Sequence, residues 1–290
     1  MIFLQMALYC EAAPILRNGS FKALAPFGRF QRWQSEDMTL LLSGTGQQEA
    51  AACAAINCTA FEPSQSDLFV ILGSCAGIGS GIEKGKLYQV NALEDLGSGR
   101  VCYPDMLLDL GLPEARLLSG YQVLSRQKES VWFRTARDPG DLYDMESAGA
   151  YAAASHFFGP HQILVLRMPT DSGEEDAENL TPDLISAMME KNLPELEHVL
   201  DRLRAFSSML EKHEGELAEE DRNALLQVGE ALRCSASMRM KLEQLIRYAV
   251  SAGIPYREFF ERCSMEGRLP VPGRKEGKDL LAEFEHELTC

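Results

Sequence analysis

Apolar positions fall in short, nearly unbroken runs over the first part of the chain and at helical spacing over the rest. The runs are IFLQMALY (2–9), MTLLLSG (38–44), DLFVILG (67–73), KLYQV (86–90), ARLLSG (115–120) and QILVLRM (162–168), with SVWF (130–133) as a further short strand. Several are apolar throughout rather than alternating, which predicts strands covered on both faces. Between them QQEAAACAAINCTAF (47–61) and MESAGAYAAASHFF (145–158) read as helices. Alternating strands and helices over 1–173 predict an α/β domain with a largely parallel sheet.

From 174 onward the texture changes. GEEDAEN (173–179) reads as a polar linker, and Thr181-Pro182 as an N-cap followed by proline at the first helical position. Leu193, Leu196, Val199, Leu200, Leu203 and Phe206 recur at helical spacing, as do Leu225, Val228, Leu232, Met238, Leu242, Leu245 and Ile246, less cleanly. PVPGRKEGK (270–278) reads as a loop before a last amphipathic helix. Residues 174–290 are therefore expected to form a helical extension of three or four helices whose stripes face its own core, with a partner-binding groove as the alternative reading. No internal repeat is visible.

Charge narrows the range of partners. The net charge is −15, of which 174–290 carries −10 (25 acidic against 15 basic residues). This excludes a nucleic-acid backbone or an anionic membrane surface as the natural partner. The N-terminal run has no basic residue before Arg17 and is interrupted by Glu11, so it reads as a buried first strand of a cytoplasmic protein rather than a signal peptide or membrane span. The eight cysteines form no CxxC pair, and the five histidines no HExxH. His156 and His161 flank FFGP, where ordinary imidazoles outweigh a metal site. No metal and no cofactor is expected.

In open parallel sheets, ligands bind beyond the C-terminal strand ends. The first predicted strand leads into YCEAAP, presenting Glu11. The second ends in SGTG (43–46) and the third in GSCAGIGSG (73–81), both turns in which glycine permits close backbone approach. The strand at 162–168 ends in PTDSG, presenting Asp171. Each has a plain structural reading: a solvated glutamate, small-residue turns, an aspartate closing a turn, and Asp144 capping the helix that follows it. Neither glycine turn matches GxGxxG or a P-loop. Their order, all at predicted strand ends, carries the argument.

That ordered series of Glu11, SGTG, GSCAGIG with KGKLYQV after it, RLLSGYQV, DMES, and a strand with Arg167 and TDSG resembles the nucleoside phosphorylase/nucleosidase superfamily. This includes the purine and uridine phosphorylases and the methylthioadenosine/S-adenosylhomocysteine nucleosidases. The resemblance covers about residues 1–173; its most specific part is DME followed 25 residues later by TD. It implies a three-layer phosphorylase-like α/β fold with a mixed, largely parallel central sheet, a homo-oligomer, and a small-molecule nucleoside as partner. It also implies roles. Met145 packs on the sugar, and Glu146 accepts hydrogen bonds from ribose hydroxyls, as a carboxylate can from a vicinal diol. Asp171 protonates the purine base as a general acid, and Glu11 positions or deprotonates the attacking water. Ser74 and Gly77 form the turn near the nucleophile and sugar. Val123 falls where the family often has a base-stacking aromatic, with Tyr121 close by.

Where phosphorylases of the hexameric type carry a phosphate-binding arginine, this chain has Ile71 in VILGS. An apolar side chain cannot replace a bidentate anion ligand. The expectation is N-glycosidic hydrolysis of a purine nucleoside or 5′-thionucleoside. The alternatives are a phosphate-dependent phosphorylase and a non-catalytic nucleoside-binding or scaffold protein.

Overall fold

The computed structural model describes residues 1–78, 81–123, 141–171, 180–213 and 217–289; the expected strand at 130–133 lies outside them. The chain divides into two compact units, Met1–Glu214 and Gly215–Cys290.

The first unit opens with β1 (Ile2–Met6), α1 (Tyr9–Asn18), β2 (Lys22–Phe27), β3 (Phe30–Gln34), β4 (Met38–Leu42) and α2 (Gln47–Phe61). Then come β5 (Leu68–Ile78), β6 (Tyr88–Asp95), β7 (Arg100–Cys102), β8 (Glu114–Ser119), β9 (Asp141–Asp144) and α3 (Ser147–Ala154). The unit finishes with β10 (Ile163–Asp171), α4 (Pro182–Lys191) and α5 (Leu193–His213). The fold is mixed α/β.

The sheet corrects the expectation of a largely parallel, open layer. β5 pairs with both β10 and β9, and the path β5–β10–β6–β8–β9 returns to β5, closing a ring. From β5 the sheet continues through β1, β4, β3 and β2. The pairings β1–β4, β1–β5, β5–β10, β6–β8 and β8–β9 are parallel, and the other five are antiparallel. The β2–β3 hairpin at the end of the sheet and the short β7 are missing from the apolar runs because they are partly exposed, so their residues do not need to be apolar on both faces.

Central strands bury both faces. Along β1, Ile2, Leu4 and Met6 join one core and Phe3 the other; along β5, Leu68, Val70 and Leu72 join the first and Phe69 and Ile71 the second. Period-2 alternation between two apolar layers explains the unbroken runs. One layer is α2 and α3, which approach closely: a Cβ on Gly149 would lie 2.1 Å from the Gln47 carbonyl oxygen. The other layer contains α1, α4 and α5, through Ile15, Met189, Leu196, Val199, Leu200 and Leu203.

The expected extension began at 174, but α4 and α5 belong to the first unit because their apolar stripes complete the second core layer. The second unit holds α6 (Glu219–Ala231), α7 (Ala236–Ala252), α8 (Arg257–Met265) and α9 (Arg274–Thr289). It has its own core around Leu232, Leu242, Ile246, Phe259, Phe260 and Phe284. No helix among the described residues is long and apolar enough to cross a membrane.

Candidate functional site

Two strand ends and one helix start differ locally from the expectation. β1 stops at Met6, and Glu11 lies in the first turn of α1 rather than trailing the strand. Its carboxylate turns back on the helix start, accepting from the N–H groups of Ala7 (3.2 Å) and Leu8 (3.0 Å). It reaches the neighbouring strand through Ser74 N–H (2.7 Å) and Ser74 Oγ (2.6 Å). Glu11 is 1% exposed, so the solvated-glutamate reading fails. GSCAGI is not a turn but the last part of β5, held by β10 on one side and β9 on the other. The expected helix from 145 starts at Ser147, because Tyr143 and Asp144 extend as β9 and Glu146 occupies the N-cap position.

These displacements bring the predicted residues together. One cavity of about 230 Å³ is lined by Glu11, Ser74, Met145, Glu146, Asp171 and Val123, with Ala7, Leu8, Thr45, Cys75, Ala76, Tyr143, Asp144, Thr170, Leu180 and Ile185 completing its wall. Gly77 and Tyr121 do not line it. A Cβ on Gly77 would meet Ile82 and Pro169, and the Tyr121 ring lies against Gly97.

The sugar-binding candidate is set by backbone donors. Glu146 Oε1 accepts from Gly46 N–H (2.9 Å), at the start of α2, and Oε2 from Met145 N–H (3.2 Å). The Gly46 backbone has φ +102, open to glycine but strained for other residues. A carboxylate has about four lone-pair sites, so Glu146 keeps acceptor capacity for further donors. Burial, then the neighbouring Asp144 charge, pushes its carboxyl up to about 7.

Arg167 is the residue that the candidate set missed. It is 1% exposed within an otherwise apolar strand. Its Nη2 contacts Asp144 Oδ2, and Nε and Nη2 donate to Ser147 Oγ at 3.1 and 2.7 Å. A Cβ on Gly73 would lie 2.4 Å from its Nη1 and 3.2 Å from Glu11 Oε1, so the guanidinium and Glu11 share the space that glycine leaves open. Burial works against its charge, but Asp144, Glu146 and Glu11 together raise its pKa. A lone arginine in the run QILVLRM was the available signal, since a buried charge needs a partner. Asp144 also accepts from Ser147 N–H at 3.0 Å, tying the start of α3 to the ion pair.

Asp171 pairs across the sheet with Ala76, and Thr170 Oγ1 bridges Cys75 O (3.2 Å) and Asp171 Oδ2 (3.3 Å). Burial pushes the Cys75 thiol well up, keeping it neutral and disfavouring it as a nucleophile. Three carboxylates, Glu11, Glu146 and Asp171, thus line the cavity, with the buried Asp144–Arg167 pair beside them among the described residues. Such a set of carboxylates favours developing positive charge and disfavours an anionic guest. No group of three or more metal-ligating side chains occurs among the described residues.

No family profile and no curated protein matches the sequence. Solved structures do. A methylthioadenosine/S-adenosylhomocysteine nucleosidase from Neisseria meningitidis, bound to methylthio-immucillin-A, is 19% identical and superposes with a TM-score of 0.57 over 69% of this chain and 98% of its own. The fold is that of these nucleosidases. The Helicobacter pylori nucleosidase with butyl-thio-DADMe-Immucillin-A is similar at 17% identity, TM-score 0.59, over 69% of this chain and 97% of its own. The futalosine hydrolase of Helicobacter pylori strain 26695 is similar at 16% identity, TM-score 0.57, with the same coverage. The matched share leaves 31% of this chain outside the shared fold in these comparisons.

Proposed function

We propose that this protein hydrolyses the N-glycosidic bond of a purine nucleoside or 5′-thionucleoside. The observation that carries the reading is the convergence of Glu11, Glu146 and Asp171 on one acid-bearing cavity. The likeness of fold to nucleosidases supports it.

Glu146 accepts from the ribose hydroxyls with its free lone pairs while Met145 packs on the sugar. As the bond from C1′ to the base lengthens, its electron pair moves into the base and Asp171 delivers a proton there, making the base a neutral leaving group. Positive charge builds on the sugar, and the surrounding carboxylates stabilise it. Water then bonds to C1′ and loses a proton toward Glu11. Ala7, Leu8 and Ser74 already fill the acceptor sites of Glu11, so rotation of the Ser74 hydroxyl opens the site that the water takes. Arg167, held by Asp144 and Ser147, keeps Glu11 and Glu146 from repelling one another out of position.

Water is favoured over phosphate on two grounds. Ile71, at the place of the phosphorylase arginine, is 2% exposed inside the core under α2 and α3. The Gly46 N–H at the start of α2, a natural anion donor, is already given to Glu146.

The test is base release from a panel of nucleosides, followed chromatographically with and without phosphate. Release independent of phosphate, reduced about 10²–10⁴-fold in Asp171→Asn, is expected. Strict phosphate dependence would establish a phosphorylase instead. Nucleoside binding without turnover would establish a binding protein.

A further inference from the structure

The start of α2 carries two glutamines side by side, and their surroundings differ. Gln48 is exposed, whereas Gln47 is 6% exposed. The Gln47 amide leaves the helix and reaches the ends of two strands. Its Nε2 donates to Ser119 O (3.1 Å) and Gly120 O (3.3 Å) at the end of β8, and to Asp95 Oδ1 (3.3 Å) at the end of β6. Two N–H groups are thus shared among three acceptors. The strand ends do not depend on this donor. Ser119 O also accepts from Leu96 N–H (3.0 Å), and Asp95 from Gly97 N–H (3.0 Å) and Ser98 Oγ (2.6 Å). Ordering a glutamine costs rotamer freedom, so these bonds matter for what they attach, the start of α2.

The place where they attach it surrounds Glu146. Gly120 N–H donates to Asp144 O (2.9 Å), and Ala148 N–H donates to Ser119 Oγ (3.2 Å). The end of β8 therefore grips the chain two residues before Glu146 and two residues after it. Gly46, next to Gln47, gives its N–H to Glu146 Oε1 (2.9 Å). These bonds close a ring: from Glu146 through Gly46 to Gln47, across to Ser119, and back through Ala148. The close approach of Gly149 to Gln47 O stops α2 from moving toward α3 but does not hold it there. The Gln47 amide supplies the attraction, and so fixes how far the Gly46 N–H stands from the Glu146 carboxylate.

We propose that Gln47 is a positioning residue for sugar binding: its amide clamps the start of α2 to the end of β8 and so holds the Gly46 N–H on Glu146. The proposal rests on the nucleoside reading above and deepens it by naming what aims the ribose-binding carboxylate. A donated N–H favours the ionised form of a carboxylate. Burial first, then Asp144 and Glu11, push the Glu146 carboxyl up, while Arg167 and the Gly46 N–H pull it down. Substitution at 47 keeps Asp144, Glu11 and Arg167 in place. Loss of the clamp therefore removes the Gly46 contribution and moves the titration of Glu146 further up.

NMR titration of isotope-labelled glutamate carboxyls, with Glu146 assigned through Glu146→Gln, tests the clamp on wild type, Gln47→Met and Gln48→Met. Nucleoside hydrolysis by the same proteins tests its consequence. Gln47→Met keeps the side-chain length and removes both donors. Its Glu146 is expected to titrate about half a pH unit or more above wild type, and its nucleoside KM to rise about tenfold with kcat within about threefold. Gln48→Met is expected to match wild type in both. Should Gln47→Met not fold, Gln47→Asn, a methylene short of Ser119, carries the same expectation. A folded Gln47→Met whose Glu146 titrates as in wild type, or lower, would overturn the proposal even where its urea midpoint falls, since that is a structural role alone. So would an equal shift in Gln48→Met. A shifted titration with an unchanged KM would overturn the sugar-binding part. A wild type that releases no base from any nucleoside overturns the hydrolase reading alone, and the titrations still decide the role of Gln47.

Discussion

Arg167 Nη2 stands 2.5 Å from Asp144 Oδ2, and both side chains are closed to solvent. The pair joins β10 to the end of β9, the two strands that flank β5 where the cavity opens. It also divides the acids by role. Asp144 compensates the guanidinium and ties the start of α3, while Glu11, Glu146 and Asp171 remain turned to the cavity.

Asp144→Asn leaves a buried guanidinium without its charge partner. Removing one member of a buried ion pair costs about 3–5 kcal/mol. Urea denaturation is expected to show a loss of that order. A change below about 1 kcal/mol would mean that the pair is solvated, like a surface bridge.

Glu146 makes stability depend on pH in an unusual direction. Its carboxyl is raised from 4.5 to about 7 in the folded protein. Between these values the fold holds a proton that the unfolded chain has released, so this group's contribution falls as pH rises through the window and is level outside it. Glu146→Gln, neutral throughout, should remove that part of the slope when urea midpoints are compared at about pH 5 and about pH 8. In the same reading, kcat/KM of the wild type climbs through about pH 7 as the carboxylate ionises to accept the ribose hydroxyls.

Glu11 and Ser74 can be separated by mutation. Glu11→Gln turns an amide N–H₂ toward backbone donors and leaves acceptors short, which costs about 1–3 kcal/mol for an unsatisfied buried group, and it removes the base for water. Ser74→Ala removes only the hydroxyl donor at 2.6 Å. Ser74→Ala is expected to hydrolyse nucleoside faster than Glu11→Gln while unfolding at nearly the wild-type urea concentration. Equal rates in the two variants would move the essential group to Ser74.

Every described residue lining the cavity lies within Met1–Glu214. A chain ending at Glu214 is expected to fold, because α4 and α5 complete its core, and to release base at the full-length rate. Loss of activity in a folded fragment would assign Gly215–Cys290 a part in catalysis.

The stretch from Tyr143 to Asp171 shows how legibility divides. Asp144, Glu146 and Asp171 were visible as chemistry at the ends of predicted elements, since carboxylates there break an otherwise apolar pattern. Glu11 was visible for the same reason. Arg167 was visible as an anomaly without a role, because nothing local reveals the partner of a buried charge. Gln47 gave no signal at all, since it stands beside an identical residue, Gln48, that is exposed.

By itself the sequence determined the α/β class, the two-sided burial of β1, β4, β5 and β10, the bounds of α2, and the acids available to a site. Those features depend on short-range periodicity, which one segment carries alone. Tertiary structure decided the ring closed through β5, the assignment of α4 and α5 to the first unit, and the turn of Glu11 onto Ser74. It also decided the reach of Gln47 to the end of β8. Each of these depends on which strand pairs with which and in what register, a long-range choice made by the whole packed core.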